Sequence, residues 1–181
     1  MKLNRASVEI LQSAFGRYAD QAHVEWWKFG DDGKVIPSSH SWGRGWEVDV
    51  PGPDYAVYYS CGLLKPGQGR ANANVVAVKT LVIDDVGTKL PKHDIDGLIE
   101  VGILPSPLGY VVESSAGNFQ YGWYLSDGDV AAYAQLRKMM AEIYDMKDGM
   151  APSHLFRLPI GVNGKPGPNA AFAVRRVAWK T

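Results

Sequence analysis

The chain has 181 residues, 46% of them hydrophobic and 21% charged, with a net charge of zero and a single cysteine. That length suits one domain with a proper core, here expected to span 1–181, and the composition excludes a disordered chain. Neutrality excludes a protein that grips duplex DNA through phosphate contacts alone, and a lone Cys61 excludes an internal disulfide or a cysteine-cluster zinc site.

In chain order, Val8, Leu11, Ala14, Phe15 and Tyr18 recur on one helical face, which predicts a surface helix over 7–22 with Ser7 as its cap. A meander of short strands follows: 24–29, then 34–42 after the turn at Asp31, Asp32 and Gly33, then 55–61 before the turn at 66–69. The nearly continuous β-branched run over 74–86 predicts one central strand, buried on both faces and ending at its carboxylates. A short helix is expected over 95–101, then a hairpin of strands 108–115 and 118–125 turning at Ser114 to Gly117. Strong helix formers with helical spacing predict a helix over 129–144. Strands at 153–160 and 171–179, separated by a loop rich in glycine, proline and asparagine, complete an α+β domain built on a central antiparallel sheet.

Three constellations carry chemistry. Asp84 and Asp85 end the buried run, where two carboxylates are costly unless a cation neutralises them, and hard oxygen ligands suit magnesium or manganese. Taken alone, the pair reads equally as a turn in which one carboxylate caps the bend closed by Gly87. Asn118 and Gln120, two apart on a strand, share a face and offer amide groups to a nucleotide, although Ser-Ser-Ala-Gly is also an ordinary hairpin turn. Arg157 precedes a glycine-punctuated loop with Asn163 and Lys165, an arrangement suited to phosphate but lacking Walker spacing.

From Ala151 to Thr181 there are five basic residues and no acidic ones, either a solvated face or a phosphate-binding one. Six tryptophans and nine tyrosines are mostly expected in the core, and those beside basic residues could stack bases of a single strand. The four histidines lack paired helical metal spacing, and no serine lies in a nucleophile elbow. With no apolar run near the roughly 18 residues of a membrane span and no secretory signal, a cytoplasmic location without a membrane is expected.

In this order, LVIDDVGTK, VVESSAGNFQYGW and HLFRLPIGVNGKP resemble the primase-polymerase domains of phage and plasmid replication proteins, the RepB-like branch of the archaeo-eukaryotic primases. The similarity covers about Val75 to Lys165, and Arg70 is similar to the family's lead-in to the first motif. Many relatives carry Asp-x-Asp and Ser-x-His in the first two motifs, where this chain has adjacent aspartates and Ser-Ala-Gly-Asn-Phe-Gln.

The resemblance implies an RRM-like antiparallel sheet beside an α/β subdomain, with the site in the cleft between them. It implies metal-dependent, template-directed phosphodiester formation from nucleoside triphosphates on single-stranded DNA, in the cytoplasm of a bacterial host. Asp84, Asp85 and Asp148 would hold the magnesium or manganese. Ser115, Asn118 and Gln120 would face the nucleotide, and Arg157, Asn163 and Lys165 would bind triphosphate or template backbone. Because some relatives are the front part of a primase-helicase, a replicative helicase is an implied partner. Two other readings stand beside this one: a non-catalytic single-strand-binding module for replication initiation on the same fold, and a metal-dependent nuclease.

Overall fold

The computed structural model describes residues 1–126, 130, 131, 133–135, 138, 142 and 151–178. Helix α1 (Arg5–Phe15) opens the chain. Its cap is Asn4 rather than the expected Ser7: the Asn4 side chain accepts the Ser7 N–H, and Ser7 is buried within the first turns. The helix stops at Gly16, and residues Gly16–Gln21 continue as a 3-10 turn. Ile10, Leu11, Ala14 and Phe15 form the buried stripe, with the Phe15 ring set edge-on to Tyr59.

Strands β1 (His23–Trp27), β2 (Ser41–Arg44), β3 (Ala56–Ser60) and β9 (Leu155–Gly161) form one antiparallel sheet in the order β2-β1-β3-β9. The strand expected over 34–42 is only β2, because Pro37–Ser39 is a 3-10 turn with proline at its start. A second antiparallel sheet has the order β10-β7-β8-β6, from β6 (Thr80–Val86), β7 (Tyr110–Ser115), β8 (Asn118–Tyr124) and β10 (Arg175–Val177). A small ribbon pairs β4 (Gly62–Leu64) with β5 (Val75–Val78). Helix α2 (Lys92–Glu100) follows β6, and its Lys92 and Asp96 flank Tyr121 of β8.

The run over 74–86 is therefore two strands, not one. At Lys79 the main-chain N–H bonds to the Cys61 carbonyl on the side of the small ribbon, while the Lys79 carbonyl accepts the Leu125 N–H beside β8. The chain changes ladders at that residue with both backbone groups satisfied. β6 is an edge strand in hydrogen bonding, yet Leu81, Val82 and Ile83 are all buried, so its apolar run reports burial and not centrality. The expected hairpin is β7 and β8, while the last expected strand is only Arg175–Val177. The expected helix over 129–144 falls largely outside the described residues; the described positions in it are helical.

The fold is α+β with antiparallel sheets, and its strands form two four-stranded sheets in place of the expected single central one. One hydrophobic cluster joins them, taking Val57, Tyr59 and Phe156 from the first and Leu81, Ile83, Val112 and Trp123 from the second. Within it the Tyr59 hydroxyl meets Thr80 Oγ1 at 3.1 Å and also bonds the Tyr110 hydroxyl. Among the described residues, no helix is long and apolar enough to cross a membrane.

Candidate active site

A cleft of about 380 Å³ opens between the two sheets. From the second sheet it is lined by Asp84, Asp85, Ser114, Asn118 and Gln120, and from the first by Trp27, Tyr58, Leu155 and Arg157. Arg70, His154, Asn163 and Lys165 reach it from connecting segments.

Adjacent residues of a regular strand point to opposite faces, so two neighbouring aspartates would not ordinarily share a cleft. Here β6 carries a bulge. Ile83 pairs with Tyr121 and Val86 with Phe119, which sets three steps of β6 against two of β8. The extra residue lies at Asp84-Asp85, and Asp85 takes φ of 60°, the left-handed region that aspartate tolerates better than most residues. Both carboxylates then line the same cleft. Beyond them the chain turns at Gly87, whose φ is 90° and whose α-carbon lies so close to the hairpin turn that a Cβ would stand 2.5 Å from the Gly117 carbonyl oxygen.

The two carboxylates differ in surroundings. Burial pushes Asp84 above the usual carboxylate range, and the neighbouring Asp85 charge adds to the effect. The Asp85 N–H, which donates to Asp84 Oδ1 at 2.8 Å, the Gln120 amide and the Lys165 charge oppose that rise. Asp85 is held from both sides: Lys89 Nζ lies 2.6 Å from Oδ2, and Asn118 Nδ2 donates to Oδ1 at 3.1 Å. Thr88 Oγ1 in turn donates to Asn118 Oδ1 at 2.9 Å.

The residues that could hold a divalent ion are Asp84 and Asp85, hard oxygen donors lining one cleft. Among the described residues, no group of three or more histidine, cysteine, aspartate or glutamate side chains is arranged to hold a metal ion. Asp148, the expected third carboxylate, lies outside the described residues.

Asn118 and Gln120 do share the cleft face of β8, as period two requires. Gln120 is buried and reaches across the sheets, its Oε1 accepting the Arg157 N–H at 3.0 Å. Ser115 is not among the lining residues, and Ser114 stands there instead, because the β7–β8 register slips by one residue between Glu113 and Ser115. Asn163 lines the cleft with its side chain engaged: Nδ2 donates to the Ser114 carbonyl at 2.8 Å, and Oδ1 accepts the Lys165 N–H at 3.2 Å. Arg157 is buried with its guanidinium 4.2 Å from the centre of the Tyr58 ring. It donates to the Val162 carbonyl at 3.1 Å and to the Asn163 carbonyl at 2.6 Å, so it organises the loop that presents Lys165. Lys165 is exposed at the rim and its charge acts on Asp84.

One further cluster centres on a residue outside those that the sequence singles out. Glu25 is buried in β1 and accepts from His23 Nε2 at 2.8 Å, Arg70 Nε at 2.6 Å and His40 Nε2 at 3.0 Å. Burial alone would raise this carboxyl, but the bonds from His23, Arg70 and His40 outweigh it and bring it down to about 2. Arg70 is thereby fixed at the cleft, its Nη1 also donating to the Ser153 carbonyl at 3.3 Å. The signal was present: alternation in His23-Val24-Glu25-Trp26-Trp27 puts a histidine and a glutamate on one face of a strand otherwise aromatic and apolar.

No known family model matches the sequence, and no curated protein matches it. Solved structures do. The primase domain of the primase-polymerase of cyanophage S-2L superposes with a TM-score of 0.66 at 14% identity, covering 98% of this chain and 91% of that one. The structure of primase RepB′ gives 0.57 at 16% identity over 95% of this chain and 56% of its own length. The catalytic domain of RepB′ in complex with initiator DNA gives 0.55 at 15% identity, over 94% and 84%. At these identities the likeness speaks for the fold, which is archaeo-eukaryotic primase-like.

Proposed function

We propose that this chain, with its archaeo-eukaryotic primase-like fold, is a nucleotidyl transferase of the primase or primase-polymerase kind, acting on single-stranded DNA. The observation that carries the reading is the β6 bulge, a left-handed aspartate that turns two adjacent carboxylates into one cleft faced by cationic side chains. Strained backbone of this sort persists where the surrounding structure holds it, and it concentrates at functional sites.

Asp84 and Asp85 would hold magnesium or manganese, with Asp148 as the further acidic ligand. When bound, the ion supplies charge neutralisation for the triphosphate and lowers the pKa of the attacking hydroxyl. The chain's own residues supply the positioning. Gln120 orients Asp84 while tying the two sheets together, and Asn118 orients Asp85. Arg157 holds the 162–163 segment so that Lys165 presents its ammonium to the triphosphate at the rim. Ser114 takes the place on the cleft wall that the motif suggested for Ser115. Nucleoside triphosphates and a single-stranded DNA template are the substrates on this reading, a replicative helicase is the expected partner, and the cytoplasm is the expected location.

The test is primer synthesis or extension on single-stranded templates with ribo- or deoxynucleotides and either metal. Products are expected from the wild type and not from Asp84→Ala. A folded wild-type protein that makes none under any of these combinations overturns the reading. One observation favours binding without chemistry: the ion pair of Asp85 with Lys89, which a metal would have to displace. Calorimetry separates the two, since that reading requires binding of single strands with no metal-dependent binding of nucleotide.

A further inference from the structure

The face of the first sheet that lines the cleft carries a continuous row of side chains whose outer end reaches solvent. The register pairs Trp42 with Glu25, Glu25 with Tyr58, and Tyr58 with Arg157, so these four stand side by side across β2, β1, β3 and β9. Glu25, Tyr58 and Arg157 are buried, whereas Trp42 is 52% exposed. Its ring is backed by the buried His23 ring, 5.2 Å away and stacked, which fixes the indole against the sheet. Arg44 lies two residues along β2 on the same face, with its guanidinium 5.8 Å from the Trp42 ring centre.

At the Trp42 end of the row the neighbouring charge is the Arg44 guanidinium. Among the described residues, Arg44 bonds only carbonyl oxygens, Gln21 at 3.4 Å and Gln68 at 3.1 Å, and so keeps its positive charge uncompensated. Arg70 lines the cleft and is paired with Glu25, the row's neighbour of Trp42, at 2.6 Å. A rigid, half-exposed indole beside a guanidinium group is a composition that holds single-stranded nucleic acid, by stacking bases and pairing phosphates.

We propose that Trp42 is a base-stacking platform for the single-stranded template on its way to the cleft, with Arg44 taking a phosphate beside it. The inference rests on the nucleotidyl-transfer reading and names the path of its template along β2 and β1.

The test measures binding of labelled single-stranded oligodeoxynucleotides by fluorescence anisotropy. Trp42→Ala should weaken binding roughly tenfold, within the range of base–aromatic stacking, while Trp42→Phe keeps most of the affinity. Trp42→Leu preserves an apolar cover over His23 and should lose as much as Trp42→Ala, which keeps the test valid if the alanine variant unfolds. Arg44→Gln should reduce the slope of log affinity against log salt by about 0.7. Metal-dependent nucleotide binding by calorimetry should be the same in Trp42→Leu and wild type. The platform is overturned if a folded Trp42→Leu binds single strands within twofold of wild type, or loses binding to blunt duplex equally. If wild type binds single strands through Trp42 yet makes no product, the catalytic reading fails and this one stands.

Discussion

Gln120, in the second sheet, accepts the main-chain N–H of Arg157, in the first, at 3.0 Å. The Gln120 amide also bonds Asp84, so one buried side chain ties the carboxylate wall of the cleft to the wall that carries Arg157 and Tyr58. This contact joins the two walls alongside the shared hydrophobic cluster and the Asn163–Ser114 bond.

Gln120→Leu removes the acceptor and leaves a buried N–H without its partner, a loss of about 1–3 kcal/mol. Urea denaturation should show the lower midpoint without a change in slope. Single-strand binding should fall little by comparison with nucleotide binding, because Gln120 faces the carboxylate end of the cleft. An unchanged urea midpoint would remove the tie from the account.

Asp84→Asn separates stability from function. Burial and the Asp85 charge raise the Asp84 carboxyl, so its ionised form destabilises the metal-free protein at neutral pH. The stability lost to it grows as pH rises from the unfolded carboxylate value of 3.8 through the raised folded one. The neutral isostere is therefore expected to melt higher than wild type at pH 7 without metal, while metal-dependent nucleotide binding weakens at least about 100-fold. A lower melting temperature for Asp84→Asn would contradict the electrostatic reading.

Glu25 predicts the opposite pH behaviour. Its folded value of about 2 lies below the ordinary 4.5, so its contribution is complete above pH 4.5 and is lost as pH falls towards 2. Glu25→Gln should be less stable than wild type at pH 7 by on the order of 2 kcal/mol. The gap between the two should close in acid. Thermal melts of both proteins at intervals from pH 7 to pH 2 check this, and a constant gap over that range would show that ionisation plays no part.

Gly161 ends β9 with φ of 74°, and a Cβ there would stand 2.1 Å from the Tyr55 carbonyl oxygen. Gly161→Ala meets both a disfavoured backbone conformation and a main-chain clash, and should cost about 2–4 kcal/mol. For a chain of this size each kcal/mol is roughly 2–4 °C in Tm. The loop it begins carries Asn163 and Lys165, so nucleotide affinity is expected to fall together with Tm.

What the amino-acid order determined by itself was local. Period two put Asn118 and Gln120 on one face, the apolar stripe of α1 marked its buried side, and turn chemistry placed the β7–β8 hairpin, because each depends on neighbours in sequence. The tertiary structure alone decided the rest. The run over 74–86 is uniformly apolar whichever ladder each half joins, so only the partners of Lys79 show the change of sheet. The shared cleft of Asp84 and Asp85 needs a bulge set by the register of β8, and Ser114 displaces Ser115 through another slip on the same strand. Glu25 is a surface residue by composition; it becomes a buried hub because His40 and Arg70, 15 and 45 residues away, converge on it. Distances of that kind in sequence leave no periodic trace, and only packing brings the charges together.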